Sequence, residues 1–195
     1  MLAMARPRTF DEDDVLASLL CQFWTSGYEG TALPDLEKAS GLSRKSLYNA
    51  FGDKHDMFVR ALRNFRSNAV RTLTAPLREP DASLAQIEAL LTGLADLAGT
   101  PRGRLGCMIC NTAREPIGGD PDVRHQVDGY FRSLETSFRR VIERGQAVGE
   151  IADRPAGELA RLCLGAVVSI SVLAKAGQPT KVMRSIAHET VRALR

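Results

Sequence analysis

Apolar residues in this chain repeat at helical spacing, and the repeating segments are separated by turn-forming breaks. Val15, Leu16, Leu19, Leu20, Phe23 and Trp24 make one such stripe. Alternating β-branched runs are nearly absent, and Gly and Pro fall between the periodic segments rather than inside them. The breaks GTPRG, PIGGDP, GEIADRP and AGQP all carry turn chemistry. The pattern predicts an all-α fold of about nine helices: 12–26, 33–39, 44–50, 54–75, 82–98, 104–115, 121–146, 155–176 and 180–194. It divides into a three-helix N-terminal unit, 1–53, and a helical bundle, 54–195, with the helix that starts at Asp53 joining them.

Composition agrees with helices packed through Leu, Ala and Val, since 44% of the residues are hydrophobic and only 6% aromatic. The first ten residues hold no apolar run of signal-peptide length. The longest uncharged apolar run, 162–174, is too short for a bilayer crossing of roughly 20 residues. The expectation is a soluble, cytoplasmic protein with no membrane partner. Cys21, Cys107, Cys110 and Cys163 are expected as free thiols.

A net charge of +3 says little about partners, but its distribution says more. Residues 41–71 hold seven Lys or Arg (Arg44, Lys45, Lys54, Arg60, Arg63, Arg66, Arg71) against Asp53 and Asp56. Arg44 and Lys45 follow Ser43, and Lys54 follows Asp53, so three cations stand at helix starts, where the dipole favours acids. Two short helices joined by a glycine turn and packed on a third make a helix-turn-helix, whose second helix presents its first residues to the DNA major groove. Cations there become favourable once phosphates or base edges neutralise them. Arg6 and Arg8 could add a basic arm.

Residues 10–60 resemble the DNA-binding domain of the tetracycline-repressor (TetR) family. The resemblance rests on the GYEGT link, the turn L-x-x-A-S-G-L-S, the SLYNAFGDK run and the following MF. It implies a homodimeric, ligand-responsive transcriptional repressor bound to a palindromic double-stranded operator. It also implies that Thr31, Ser43, Arg44, Lys45, Tyr48 and Lys54 touch DNA, Tyr48 and Lys54 at phosphates; packing beneath the recognition helix is the other reading of Tyr48. Ala32 stands where the family often has a second hydroxyl, which leaves the cap of the second helix open.

In the C-terminal half, segment 159–174 is apolar nearly all round. Leu159, Leu162, Ala166, Ile170 and Leu173, with Met183, Ile186 and Val191 of the last helix, are the expected dimer interface, the region where the resembled family also pairs. GCMICN, 106–111, places a C-x-x-C inside an expected helix. It resembles a glycine-cysteine-x-x-x-asparagine branch of the TetR family, in which the cysteine senses electrophiles or oxidants together with a lysine of a later helix; Cys107 and Lys175 would take those roles. The alternative is a helical thiol enzyme of alkylhydroperoxidase type using Cys107 and Cys110, which lacks here a nearby His and Glu to activate the thiols. Cys107, Cys110 and His125 are too few and too dispersed for structural zinc, so neither metal nor cofactor is expected. Phe65, Met108, Asn111, Tyr130, Phe131 and Phe138 are candidate lining for a small-molecule effector. No cluster of Lys or Arg stands out along 54–146, so no strongly anionic effector is implied.

Overall fold

The computed structural model describes residues 10–195, and the basic arm of Arg6 and Arg8 lies outside the described residues. Helices are α1 (Glu12–Ser26), α2 (Leu33–Ser40), α3 (Arg44–Phe51), α4 (Lys54–Thr74), α5 (Leu84–Ala98), α6 (Met108–Thr112), α7 (Pro121–Ala147), α8 (Ala156–Lys175) and α9 (Thr180–Arg192). Short 3-10 turns occupy Pro76–Arg78, Gly103–Leu105 and Pro116–Gly119, and the described residues contain no strand. Two compact units are present, one ending at Asn64 and the other starting at Phe65, so the division falls within α4 rather than at its start.

The N-terminal unit follows closely from its caps. Asp11 accepts from the backbone N–H groups of Asp13 and Asp14 at 2.8 and 3.4 Å, satisfying donors that an uncapped helix leaves orphaned. Ala32 has no side-chain oxygen, and the Asp35 carboxylate closes the start of α2 by accepting its N–H at 2.8 Å. Gly41, at φ 69°, ends α2 in the left-handed region that costs glycine little. Asp53 and Asp56 cap the start of α4 reciprocally, at 3.0 and 2.9 Å. Leu19, Phe23, Leu36, Leu47, Phe51, Met57, Phe58 and Leu62 form the core. Phe23 meets Phe58 edge-on at 5.1 Å between ring centroids. Truncating such a buried aromatic to Ala costs about 3–5 kcal/mol.

In the C-terminal unit α8 packs on α7, α9 and α5, and α9 packs on α5. Glycines do occur inside these helices, at positions 93, 129, 145, 157 and 165, contrary to the sequence expectation. Two of them make room for a neighbour. A Cβ at Gly145 would lie 2.6 Å from Ile151 Cδ1, and one at Gly129 would strike the Arg66 guanidinium. The expected helix 104–115 is also interrupted: Gly106 takes φ 70°, and only the five residues of α6 follow as helix. Cys107 is therefore the capping residue just before α6, not one inside a helix. Among the described residues α8 alone is long and apolar enough to cross a membrane, with a mean hydropathy of 1.7, yet Leu159, Ala160, Cys163, Ala166, Val167, Ile170, Ser171 and Ala174 are buried in the unit's own core.

Candidate functional site

Helix α3 buries one face and presents the other. Leu47 and Phe51 enter the core, while Arg44, Lys45, Tyr48 and Asn49 are exposed at positions i, i+1, i+4 and i+5, one contiguous stripe. Tyr48 is 44% exposed, which decides between its two sequence readings: it does not pack beneath the helix. Asn49 was not singled out from sequence, although its place four residues after Lys45 marks it as part of the stripe. Ser43 caps the helix by accepting the Ser46 N–H at 3.3 Å.

The two helix starts tolerate their cations for different reasons. At α3, Glu37 of α2 accepts the Arg44 backbone N–H at 2.8 Å and stands 3.6 Å from the Arg44 guanidinium, supplying the acid that the helix start wants. At α4, the Lys54 ammonium sits 4.2 Å above the Tyr28 ring, a cation–π contact. Arg60 belongs to the scaffold: it donates to Ala50 O at 2.8 Å, pairs with Glu12 at 3.4 Å and covers the Phe51 ring. Thr31 also departs from the exposed set. It is fully buried, and its hydroxyl donates to Gly27 O at 2.7 Å, so it holds the α1–α2 link rather than facing solvent.

The expected dimer stripe is mostly internal. Leu159, Ala166, Ile170, Met183 and Val191 are buried within the C-terminal unit, and Leu173 and Ile186 are half-buried. Leu162 is 40% exposed, and the outward row of α8 continues through Gly165, Ser169 and Val172, the last 36% exposed. This row, at i, i+3, i+7 and i+10, is the face of α8 that its own unit leaves uncovered.

Around α6, Cys107, Cys110 and Tyr130 come together. The Cys110 thiol donates a hydrogen bond to Cys107 and holds its pKa down to about 7 against the opposing effect of burial; backbone N–H groups of Cys110 and Ile109 and the Tyr130 hydroxyl assist. The same pairing, with burial, drives the Cys110 thiol far above the thiol range, and burial first of all raises Tyr130. Burial pushes Cys163 up to about 12. Lys175 comes from α8 to the turn before Cys107: a Cβ on Gly106 would lie 3.2 Å from Lys175 Cβ and 3.0 Å from Ser171 O.

The expected effector lining is largely filled. Met108, Tyr130 and Phe138 are buried core residues, Asn111 donates its amide to Leu105 O at 2.9 Å, and Phe65 and Phe131 are half-buried. A cavity of about 390 Å³ lies elsewhere in the same unit, lined by Val70, Leu77, Arg78, Arg132, Ser133, Thr136, Ser137 and Arg140. None of the six expected residues lines it, and its arginines correct the expectation that no basic cluster exists here. Arg78 lies more than fifty residues before the other two and joins them only through the fold.

Similarity to known proteins agrees with this arrangement. The chain is 29% identical over 174 residues to the HTH-type transcriptional regulator YezE of Bacillus subtilis (strain 168), covering 88% of this chain and 90% of that protein. It is 26% identical over 192 residues to the HTH-type transcriptional repressor ComR of Escherichia coli (strain K12), covering 96% and 90%. Its fold superimposes with a TM-score of 0.86 on a cysteine-substituted form of the TetR family regulator CifR in complex with a 26-base-pair operator DNA, at 28% identity and covering 97% and 100% of the two chains. Residues 16–61 match the profile of bacterial regulatory proteins of the tetR family, and residues 83–188 match the tetracyclin repressor-like C-terminal domain. With both halves matched and the helix-turn-helix built as its sequence predicts, the chain belongs to the TetR family of transcriptional regulators.

Proposed function

We propose that this protein is a homodimeric, DNA-binding transcriptional repressor. The exposed stripe of α3 carries the reading. Arg44, Lys45, Tyr48 and Asn49 would enter the major groove, with Lys54 on an adjacent phosphate and Ser43 and Glu37 holding the start of α3 in shape. Lys45 offers an exposed cation, and Asn49 has the donor–acceptor pair that suits adenine. Thr31 would act by holding the link behind this surface. The outward row of α8, Leu162, Gly165, Ser169 and Val172, would meet the same row of a second copy, presenting two α3 helices to half-sites spaced one helical turn (~34 Å) or a multiple apart.

Release from the operator would start at Cys107. A thiolate poised near neutral pH attacks an electrophile or is oxidised, with Lys175 beside the same turn, and the change reaches the DNA-binding unit along α4, which belongs to both units. To switch occupancy the modification must favour the non-binding state by a few kcal/mol. The thiol-enzyme alternative finds less support, because the partner thiol Cys110 is held protonated and neither His nor Glu stands among the groups acting on Cys107. As a regulator it acts on intracellular DNA.

The test is a gel shift on DNA upstream of the protein's own gene, with reduced protein. The expected result is a discrete complex that survives excess scrambled duplex and dissociates when Cys107 is alkylated. Equal binding to scrambled DNA would refute the repressor, and a Cys107→Ser protein that still loses DNA on alkylation would refute the sensor.

A further inference from the structure

The 390 Å³ groove between the end of α4, the Pro76–Arg78 turn and α7 has a composition that core packing does not require. Helix α7 lines one wall with Arg132, Thr136 and Arg140 at i, i+4 and i+8, and Arg78 closes the groove from the turn. Val70 and Leu77 supply an apolar floor. Not one carboxylate lines it. The acids of α7 within a turn of these arginines are engaged elsewhere or stand off: Glu135 pairs with Arg161, Glu143 with Arg139, and Asp128 makes no ion pair with Arg132 within 4.0 Å. Among the described residues the guanidinium groups of Arg78, Arg132 and Arg140 have neither a salt bridge nor a hydrogen bond, whereas those of Arg139, Arg144, Arg161, Arg184 and Arg192 each have at least one.

The hydroxyls in the groove sharpen the point. Ser133 donates to Gly129 O at 2.7 Å and Ser137 to Ser133 O at 2.9 Å, so their protons are committed to the helix. The uncommitted donors among the lining residues are therefore the three guanidinium forks and the Thr136 hydroxyl. Three like charges around one concave space repel one another when it holds only water, and an anion with several oxygens removes that cost while accepting bidentate hydrogen bonds. A volume of this size is at the small end of ligand sites, roughly 300–1,000 Å³.

We propose that this groove binds a small organic polyanion, one that carries a phosphate or several carboxylates on a compact apolar body. The oxygens take Arg78, Arg132 and Arg140, and the body rests on Val70 and Leu77. Because the ligand would bridge the turn after α4 to α7, it would reinforce a junction that Arg144 of α7 already makes by donating to Leu77 O, Glu79 O and Pro80 O. The site does not depend on Cys107, and it stands whether or not α3 binds DNA.

Isothermal titration at fixed ionic strength tests it, with inorganic phosphate, pyrophosphate, citrate and phenyl phosphate as probes and sodium chloride as the control. At least one probe is expected to bind with a dissociation constant below about 1 mM, and phenyl phosphate more tightly than inorganic phosphate because of the apolar floor. Arg132→Ala and Arg140→Ala should each weaken it about tenfold or more, and Arg78→Lys, which keeps charge but loses the fork, by less. Arg139→Ala, on α7 outside the groove, should bind as the wild type does. Preference for phenyl phosphate or pyrophosphate over citrate would assign a phosphate ligand, and the reverse a polycarboxylate. No heat from any probe up to about 10 mM, or equal weakening by Arg139→Ala, would overturn the proposal. Circular dichroism of each variant separates lost binding from lost fold.

Discussion

Replacing Lys45 and Arg60 in parallel separates a DNA-facing cation from a scaffold cation that sequence counting cannot tell apart. Lys45 is exposed on the outward stripe of α3. Arg60 spends its guanidinium on Ala50 O, Glu12 and the Phe51 ring. Each phosphate neutralised contributes about 0.9 to the slope of log affinity against log salt. In a dimer, Lys45→Ala removes two contacts, so the slope on a non-specific duplex should fall by about 1.8. Between 50 and 200 mM salt, a change of about 0.6 log units, the wild type should lose about tenfold more affinity than the variant. Arg60→Ala should leave the slope intact. Its cost appears in stability, about 1–2 kcal/mol for a half-exposed cation with one carbonyl and one carboxylate partner. Fluorescence anisotropy at four salt concentrations, beside a thermal melt, reads both quantities. An unchanged slope for Lys45→Ala, or an equal fall for Arg60→Ala, would show that Lys45 is not a phosphate contact distinct from the scaffold cation Arg60.

Three other outcomes follow from the geometry. A Cys107 thiol near pKa 7 gains thiolate as pH rises, so its alkylation by iodoacetamide should increase roughly tenfold from pH 6 to pH 8 while Cys163, pushed up to about 12, stays unlabelled; peptide mass spectrometry showing a Cys107 midpoint above pH 8.5 would contradict the pairing with Cys110. Val172→Glu puts a carboxylate in the outward row of α8 and should convert dimer to monomer in light scattering without loss of helix, since an unpaired buried charge costs about 3–5 kcal/mol; an unchanged mass would move the interface elsewhere. Gly106→Ala must hold φ 70° and ψ −160°, a backbone region that is essentially glycine's alone, with its Cβ 3.0 Å from Ser171 O; at about 1–3 kcal/mol it should lower Tm by about 2–12 °C, and an unchanged Tm would mean the turn relaxes freely.

How far sequence reached depended on whether the deciding contact was local. Asp11, Ser43 and Asp53 cap helices through neighbours two or three residues away, so the starts of α1, α3 and α4 could be read directly. Gly106 is visible in the sequence but its positive φ is not, so periodicity alone predicts a longer helix than the five residues of α6. On α8 two apolar stripes run side by side, and periodicity cannot say which one meets the chain's own core; Leu159, Ala166 and Ile170 do, leaving Leu162 and Val172 outside. Thr31 has the right residue type for a contact, yet a hydrogen bond to Gly27 O removes it from the surface. The arginine groove needed tertiary structure, because Arg78 reaches Arg132 and Arg140 only after the chain has folded.

Site-specific photocrosslinking shows whether the exposed face of α3 meets DNA. A benzophenone amino acid replaces Tyr48, exposed on α3, or Val148, which is 69% exposed on the C-terminal unit, in protein bound to its upstream DNA. A protein–DNA adduct is expected from position 48 and none from position 148. Adducts of equal yield from both, or from position 148 alone, would contradict that contact.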